Sequence, residues 1–185
     1  MKKPKKKNPD WTPLKNELAD RLFTDHLTRV LYATDASVYR KLPLAVAYPQ
    51  GRADVQCIVK FCRTESIPFI PRTAGTSLAG QCVGEGLVVD FSRYMTEILE
   101  VNASEKWVIL QPGVIRDELN EFVKKDGLFF GPNTSTANRC MMGGMVGNNS
   151  SGTTSIRYGV TRDKVLEIEA VLADGSIATF GEIHE

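Results

Sequence analysis

Three short apolar runs, Ala45-Val46-Ala47-Tyr48, Phe69-Ile70 and Leu87 to Phe91, frame the first half of this chain. Between the first two, Val55, Ile58, Val59 and Cys62 recur at i, i+3, i+4 and i+7, the spacing of one helix face. Asp54 falls in the first turn of that helix, where a negative charge suits the dipole, and Pro49 and Gly51 end the run before it. Strand–helix–strand in this order predicts a βαβ unit with two parallel strands. The stretch from Pro71 to Gly80, P-R-T-A-G-T-S-L-A-G, is then a glycine-containing turn between two strands.

That turn has the makings of a diphosphate cradle. Small residues let the backbone approach a ligand closely, and unpaired N–H groups in such a turn form an anion-binding nest. Thr76 and Ser77 add hydroxyl donors, and Arg72 adds a fixed positive charge. The same residues equally describe a polar surface loop with two glycines, and both readings stand at this point.

Elsewhere, Leu14, Leu18, Leu22, Leu27, Val30 and Leu31 predict a helix over residues 11–32, followed by a polar break at Thr34 to Ser37. Ile98 to Val101 and Trp107 to Gln111 read as a hairpin, and Pro112-Gly113 ends its second strand. Ile115, Leu119, Phe122 and Val123 mark a helix closed by Asp126-Gly127. Asp174-Gly175, between Val165–Ala173 and Ser176–Phe180, is the strongest short-range hairpin signal in the chain. The expected class is α+β in two lobes: a small βαβ lobe over about 32–93, and a larger lobe over about 94–185 with antiparallel strands and flanking helices. A basic tail and helix, 1–31, would precede them.

A chain of 185 residues with 42% hydrophobic content can bury a core, and a net charge of +1 gives no global field toward nucleic acid. The lysines from Lys2 to Lys7 read as a solvated tail. No apolar run approaches the ~20 residues of a membrane span, and no signal-peptide core follows the basic start. Cys57, Cys62, Cys82 and Cys140 match no zinc or iron–sulfur spacing, which points to a reducing, cytoplasmic setting and no metal. His26 reads as an ordinary helix residue, and His184 is penultimate; neither belongs to a candidate pocket.

A second polar stretch, residues 131–159, runs for nearly thirty residues with little apolar content. Loops of that length are uncommon in compact domains and are often binding loops when ordered. Gly143, Gly144 and Gly147 allow a short helix to pack against a flat ligand or offer N–H groups to an anion. Asn148, Asn149, Ser150 and Ser151 supply uncharged donors and acceptors suited to the edge of a heterocycle. The alternative is a disordered loop.

The ordered blocks PRTAGTSLAG, LVVDFSR, LQPGV, FFGPNTST, MMGGM, NNSSG and RYGVTRDKVL resemble the flavin domain of the FAD-linked oxidases, of the p-cresol methylhydroxylase and vanillyl-alcohol oxidase type. The branch they most resemble holds D-lactate dehydrogenase and the glycolate oxidase subunit, with longer members that carry an iron–sulfur region. The resemblance runs from about Tyr32 to the end. It implies FAD, with the diphosphate wrapped by Pro71, Arg72, Thr73, Ala74, Gly75, Thr76 and Ser77. It places Pro132, Ser135 and Thr136 near the flavin ring. Met142, Gly143, Gly144, Gly147, Asn148, Ser150 and Gly152, with Tyr158 and Gly159, would complete the bed, and Ile168 would meet the adenine end.

The implied activity is oxidation of a small 2-hydroxy acid such as D-lactate, glycolate or D-2-hydroxyglutarate, hydride passing to the flavin. An electron acceptor or iron–sulfur partner, with peripheral membrane attachment through it, fits the same group. Substrate handling in that family draws on a cap domain not represented in this sequence, so no catalytic residue is assigned and the chain alone is expected to be inactive. An electron-transfer module without its own substrate site is the alternative reading, and a scaffold that has lost flavin is a further one. Two departures stand out. Thr73 and Ala74 replace glycines of the family's first loop, which would strain the loop if either needs positive φ. Thr76 stands where members with covalent flavin often have histidine, so the FAD is expected to be non-covalent.

Overall fold

The computed structural model describes residues 9–181. The lysine run and His184 lie outside the described residues. The first lobe is built on a sheet of four strands: β1 (Leu22–Phe23), β2 (Ala45–Ala47), β3 (Phe69–Arg72) and β4 (Leu87–Asp90), in the order β1-β2-β4-β3. The helix α3 (Arg52–Thr64) connects β2 to β3, and both strands run parallel to β4 between them. The βαβ reading is borne out, with β4 inserted at the centre. Burial on both faces explains its unbroken apolar run. Leu87 and Val89 join Ala45, Ala47, Ile58 and Cys62 on one face, while Val88 joins Val46 and Tyr48 on the other.

The N-terminal segment departs from the expected single helix. It forms α1 (Thr12–Leu18), a single 3-10 turn to Arg21, β1, and then α2 (His26–Leu31). The break falls at Ala19, whose φ of 51° no α-helix contains. Leu22 and Phe23 pair with Ala47 and Val46 instead of continuing a helix. Asp25 opens a new helix by accepting a hydrogen bond from Thr28 N at 2.9 Å. His26 is the exposed first residue of α2. Asp54 does more than face the dipole: its carboxylate pairs with Arg21 and accepts from Gln50 N at 2.8 Å.

The second lobe begins with the antiparallel hairpin of β5 (Ile98–Asn102) and β6 (Trp107–Leu110). The helix α4 (Arg116–Val123) follows, and Gly127 ends its 3-10 extension at φ 69°. The long polar stretch is ordered and contains two short helices, α5 (Met142–Gly147) and α6 (Ser155–Tyr158). Val114, Leu119, Val123, Cys140, Met142 and Met145 form the core of this lobe.

The last hairpin, β7 (Glu167–Val171) and β8 (Ile177–Gly181), turns through Gly175 at φ 82°. It follows the second lobe in sequence yet packs on α3 of the first. Arg52 and Glu169 form an ion pair at 2.6 Å, and Gln56 Nε2 donates to Gly175 O at 2.7 Å. Among the described residues no helix is long and apolar enough to cross a membrane.

All four cysteines are free thiols. Burial pushes the Cys62 thiol up to about 12, which leaves a thiolate fraction of about one in ten thousand at pH 8. Alkylation with iodoacetamide at that pH is expected to leave Cys62 unmodified in the native chain and to label it fully in urea. Equal labelling in both states would contradict this packing.

Candidate functional site

The first glycine loop leaves β3 where that strand pairs with β4, Arg72 standing opposite Asp90. Within Pro71–Gly80 only Gly75 and Gly80 take positive φ, 65° and 70°. Thr73 and Ala74 do not, so the two replacements carry no left-handed strain. The backbone N–H groups from Ala74 to Leu78 donate to no other described group. The Gly75 carbonyl turns inward to accept from Ala36 N at 3.0 Å. The loop therefore offers a row of free N–H donors with one intervening carbonyl withdrawn, the donor set of an anion nest.

The second glycine stretch lies directly against the first. A β-carbon on Gly144 would sit 2.6 Å from Thr73 Oγ1, and Gln81 Nε2 donates to Asn148 Oδ1 at 2.8 Å. Gly143 is tight against Pro112, and its N–H donates to Pro112 O at 2.8 Å. Gly147 has open space around it. Met142 is the exception among these residues, because its side chain lies in the core of the second lobe.

The entry and exit of this stretch are pinned from beneath. The Arg116 guanidinium donates to Phe130 O at 3.1 Å and Pro132 O at 3.2 Å. Thr136 O accepts from Cys140 N at 2.7 Å, turning the chain after the exposed Ser135. Gly152 meets the Asn133 carbonyl so closely that only a hydrogen fits there. Ser150 O accepts from the fully buried Thr161 hydroxyl at 2.7 Å. Tyr158 stacks edge-on against Phe129, ring centroids 5.1 Å apart, and covers Gly131. Gly159 follows at φ 79°, tight against the Asp163 carboxylate.

Between the lobes opens a cleft of about 350 Å³, lined by Arg72, Thr73 and Ala74 from one side and by Ile115, Arg139 and Met141 from the other. Tyr32, Asp90 and Ser92 form its floor. Sequence reasoning missed Tyr32, Asp90 and Arg139. They come from α2's end, β4's end and a turn, and no local pattern links them. A buried carboxylate at the end of an apolar strand, Asp90 at 4% exposure, was the one available signal. Ile168 lies on β7, paired with Phe180, and does not line the cleft. A larger groove of about 600 Å³ beside α4 is lined by residues of 117–129 and holds none of either glycine loop.

The chain matches the family model described as "FAD binding domain" over residues 43–181. This chain belongs to the FAD-binding domain family. It is 45% identical over 159 residues to the D-2-hydroxyglutarate dehydrogenase of Haemophilus influenzae, covering 84% of this chain and 16% of that protein. It is 36% identical over 155 residues to the glycolate oxidase subunit GlcD of Bacillus subtilis, covering 83% of this chain and 33% of that one. This FAD-binding domain thus spans a third or less of both of those curated relatives. Its fold matches the crystal structure of p-cresol methylhydroxylase with a TM-score of 0.79 at 18% identity, over 91% of this chain and 34% of that one. The fold resemblance drawn from the motif blocks is therefore correct.

With Thr73 and Ala74 unstrained, restoring the family's glycines should not tighten FAD binding. The double variant T73G/A74G is expected to weaken it about two- to threefold, since glycine loosens the free loop. An affinity gain on titration with FAD would show that the loop is strained after all.

Proposed function

We propose that this chain is the flavin-holding part of an FAD-dependent oxidoreductase that acts on a small 2-hydroxy acid. The observation that carries the cofactor site is the juxtaposition of the two glycine loops at Thr73 and Gly144, with the free N–H row of Ala74–Leu78 beside them. The relatives named for D-2-hydroxyglutarate and glycolate support the substrate class.

In this reading the Ala74–Leu78 N–H groups hold the diphosphate, and the cleft floor and the 142–152 segment bed the rest of the cofactor. Bare glycine backbone at Gly143, Gly144 and Gly147 lets the ligand approach closely. Thr136 and Asn148 present polar groups to its edge. Bound FAD would supply the acceptor for the substrate's hydride. The proposal names no base for a substrate hydroxyl among these residues and leaves substrate handling to the portion of those relatives that this chain does not span. We assign the FAD-binding domain to 32–185, with the segment from Thr12 to Leu31 built onto its first lobe through β1 and the leucines of α1. The last hairpin is built onto the first lobe. An electron acceptor outside this chain and a cytoplasmic setting complete the proposal.

In this reading FAD is held non-covalently, because Thr76 stands where the resemblance puts the histidine of members with covalent flavin. Purified chain incubated with FAD and desalted should keep the flavin absorbance bands, and acid precipitation should release all the colour. A colourless chain after desalting overturns the site; a yellow acid pellet overturns non-covalent attachment. D-Lactate, glycolate and D-2-hydroxyglutarate should not be turned over by the chain alone.

A further inference from the structure

We propose that Arg72 acts as an internal brace of the first glycine loop, held in place by the positioning residues Tyr32 and Asp90, and does not serve as a counter-ion to the ligand's phosphates. This rests on the reading that the loop binds FAD.

The geometry runs upward from the end of β4. Asp90 is buried, and its carboxylate accepts from the Tyr32 hydroxyl at 2.5 Å and from Ser92 N at 2.7 Å. The Tyr48 hydroxyl donates to the Tyr32 oxygen at 3.0 Å. Burial and the Asp90 carboxylate both raise the Tyr32 phenol well above its usual range, so it remains a donor. The Tyr32 ring is thereby fixed, and the Arg72 guanidinium lies over it at 5.1 Å. One guanidinium nitrogen donates to Thr34 O at 2.7 Å. A β-carbon on Gly75 would lie 2.6 Å from another.

The guanidinium is thus a filled layer between the Tyr32 ring and the Gly75 backbone. Its position sets the height of Gly75. That in turn sets the bond from Ala36 N to Gly75 O, which keeps the carbonyl turned away from the row of free N–H groups. Both guanidinium faces are covered, by the Tyr32 ring and by the Gly75 backbone, and one N–H is donated to Thr34 O; only the remaining edge faces the cleft, and in this proposal that edge pairs with no phosphate.

Two readouts on the full chain test this. The first is hydrogen exchange of the Ala36 amide without ligand, in wild type, R72L, Y32L and Y32F. Protection should fall about tenfold or more in R72L and Y32L, and by a smaller but measurable factor in Y32F, which keeps the ring but loses the bond to Asp90 that fixes it. The second is the FAD dissociation constant, by flavin fluorescence titration, at several salt concentrations. R72L and Y32L should each weaken binding about tenfold. The double variant should be no worse than either single one, and the slope of log Kd against log salt should be unchanged. Unchanged Ala36 protection in R72L, or a flattened salt slope in R72L with normal affinity in Y32L, overturns the brace. Arg72 is partly exposed at the cleft, so R72L decides the matter even where Y32L fails to fold. If the wild-type chain binds no FAD, the cofactor reading falls, and the Ala36 exchange still decides the brace.

Discussion

Replacing Gly152 with alanine should cost about 3 kcal/mol or more of stability and abolish FAD retention. The added carbon would lie 1.6 Å from the Asn133 carbonyl oxygen and 2.6 Å from its carbon. Both are backbone atoms, so no side-chain rotation relieves the contact. Nor can the neighbouring segment yield easily. Pro132 is buried with its carbonyl on Arg116, and Thr154 Oγ1 donates to Gly131 O at 2.9 Å. The 131–134 segment and the 150–154 segment would have to part, and both belong to the proposed bed of the cofactor. A loss of this size is a large share of the ~5–15 kcal/mol that holds a domain together. Urea denaturation checks it, with G147A as the control. A β-carbon on Gly147 meets nothing within 4 Å, so alanine at this helical position should be neutral or stabilising by about 0.5–1 kcal/mol. A stable, flavin-retaining G152A would mean that the two segments are not packed as described.

A carboxylate placed in the cradle should act on binding alone. Ala74 lines the cleft, has ordinary backbone angles and is half-buried, so A74D should fold with little change in stability. If the Ala74–Leu78 N–H row holds a diphosphate, the new charge would stand within about 4 Å of phosphate oxygens. At an effective dielectric of 20 that repulsion is about 4 kcal/mol before salt screening, leaving about 2.7 kcal/mol or a hundredfold loss of FAD affinity. The loss should shrink as salt is raised. Equal affinity for wild type and A74D would move the diphosphate away from this loop.

What the sequence could and could not reveal follows from how far each feature reaches along the chain. The α3 periodicity, the Asp174-Gly175 hairpin and the Gly127 helix stop are local, and each appears in the structure where the residues put it. The single helix expected over 11–32 is broken for a physical reason. Leu14, Leu18 and Leu22 all enter one core cluster, so helical spacing of burial persists across the break at Ala19. What interrupts the helix is pairing with Ala47 and Val46, some 25 residues away, which no window over 11–32 contains. The site divides in the same way. The glycine loops announce themselves by composition, whereas Tyr32, Asp90 and Arg139 become neighbours only through the sheet order and the lobe interface. Whether Thr73 and Ala74 strain the loop depends on backbone angles, and those place the left-handed turn on Gly75.

The return of the last hairpin to α3 bears on how such a chain is made. Gln56 and Gly175 are 119 positions apart, and Lys60 packs against the same glycine. A ribosome emitting the chain in order would deliver α3 and its sheet long before the hairpin that covers the helix. For that interval the outer side of α3 waits uncovered while the whole second lobe is synthesised. Closing so large a loop is entropically slow. The docking of the hairpin therefore belongs among the last folding steps, and it ties the completion of the early lobe to the completion of the late one.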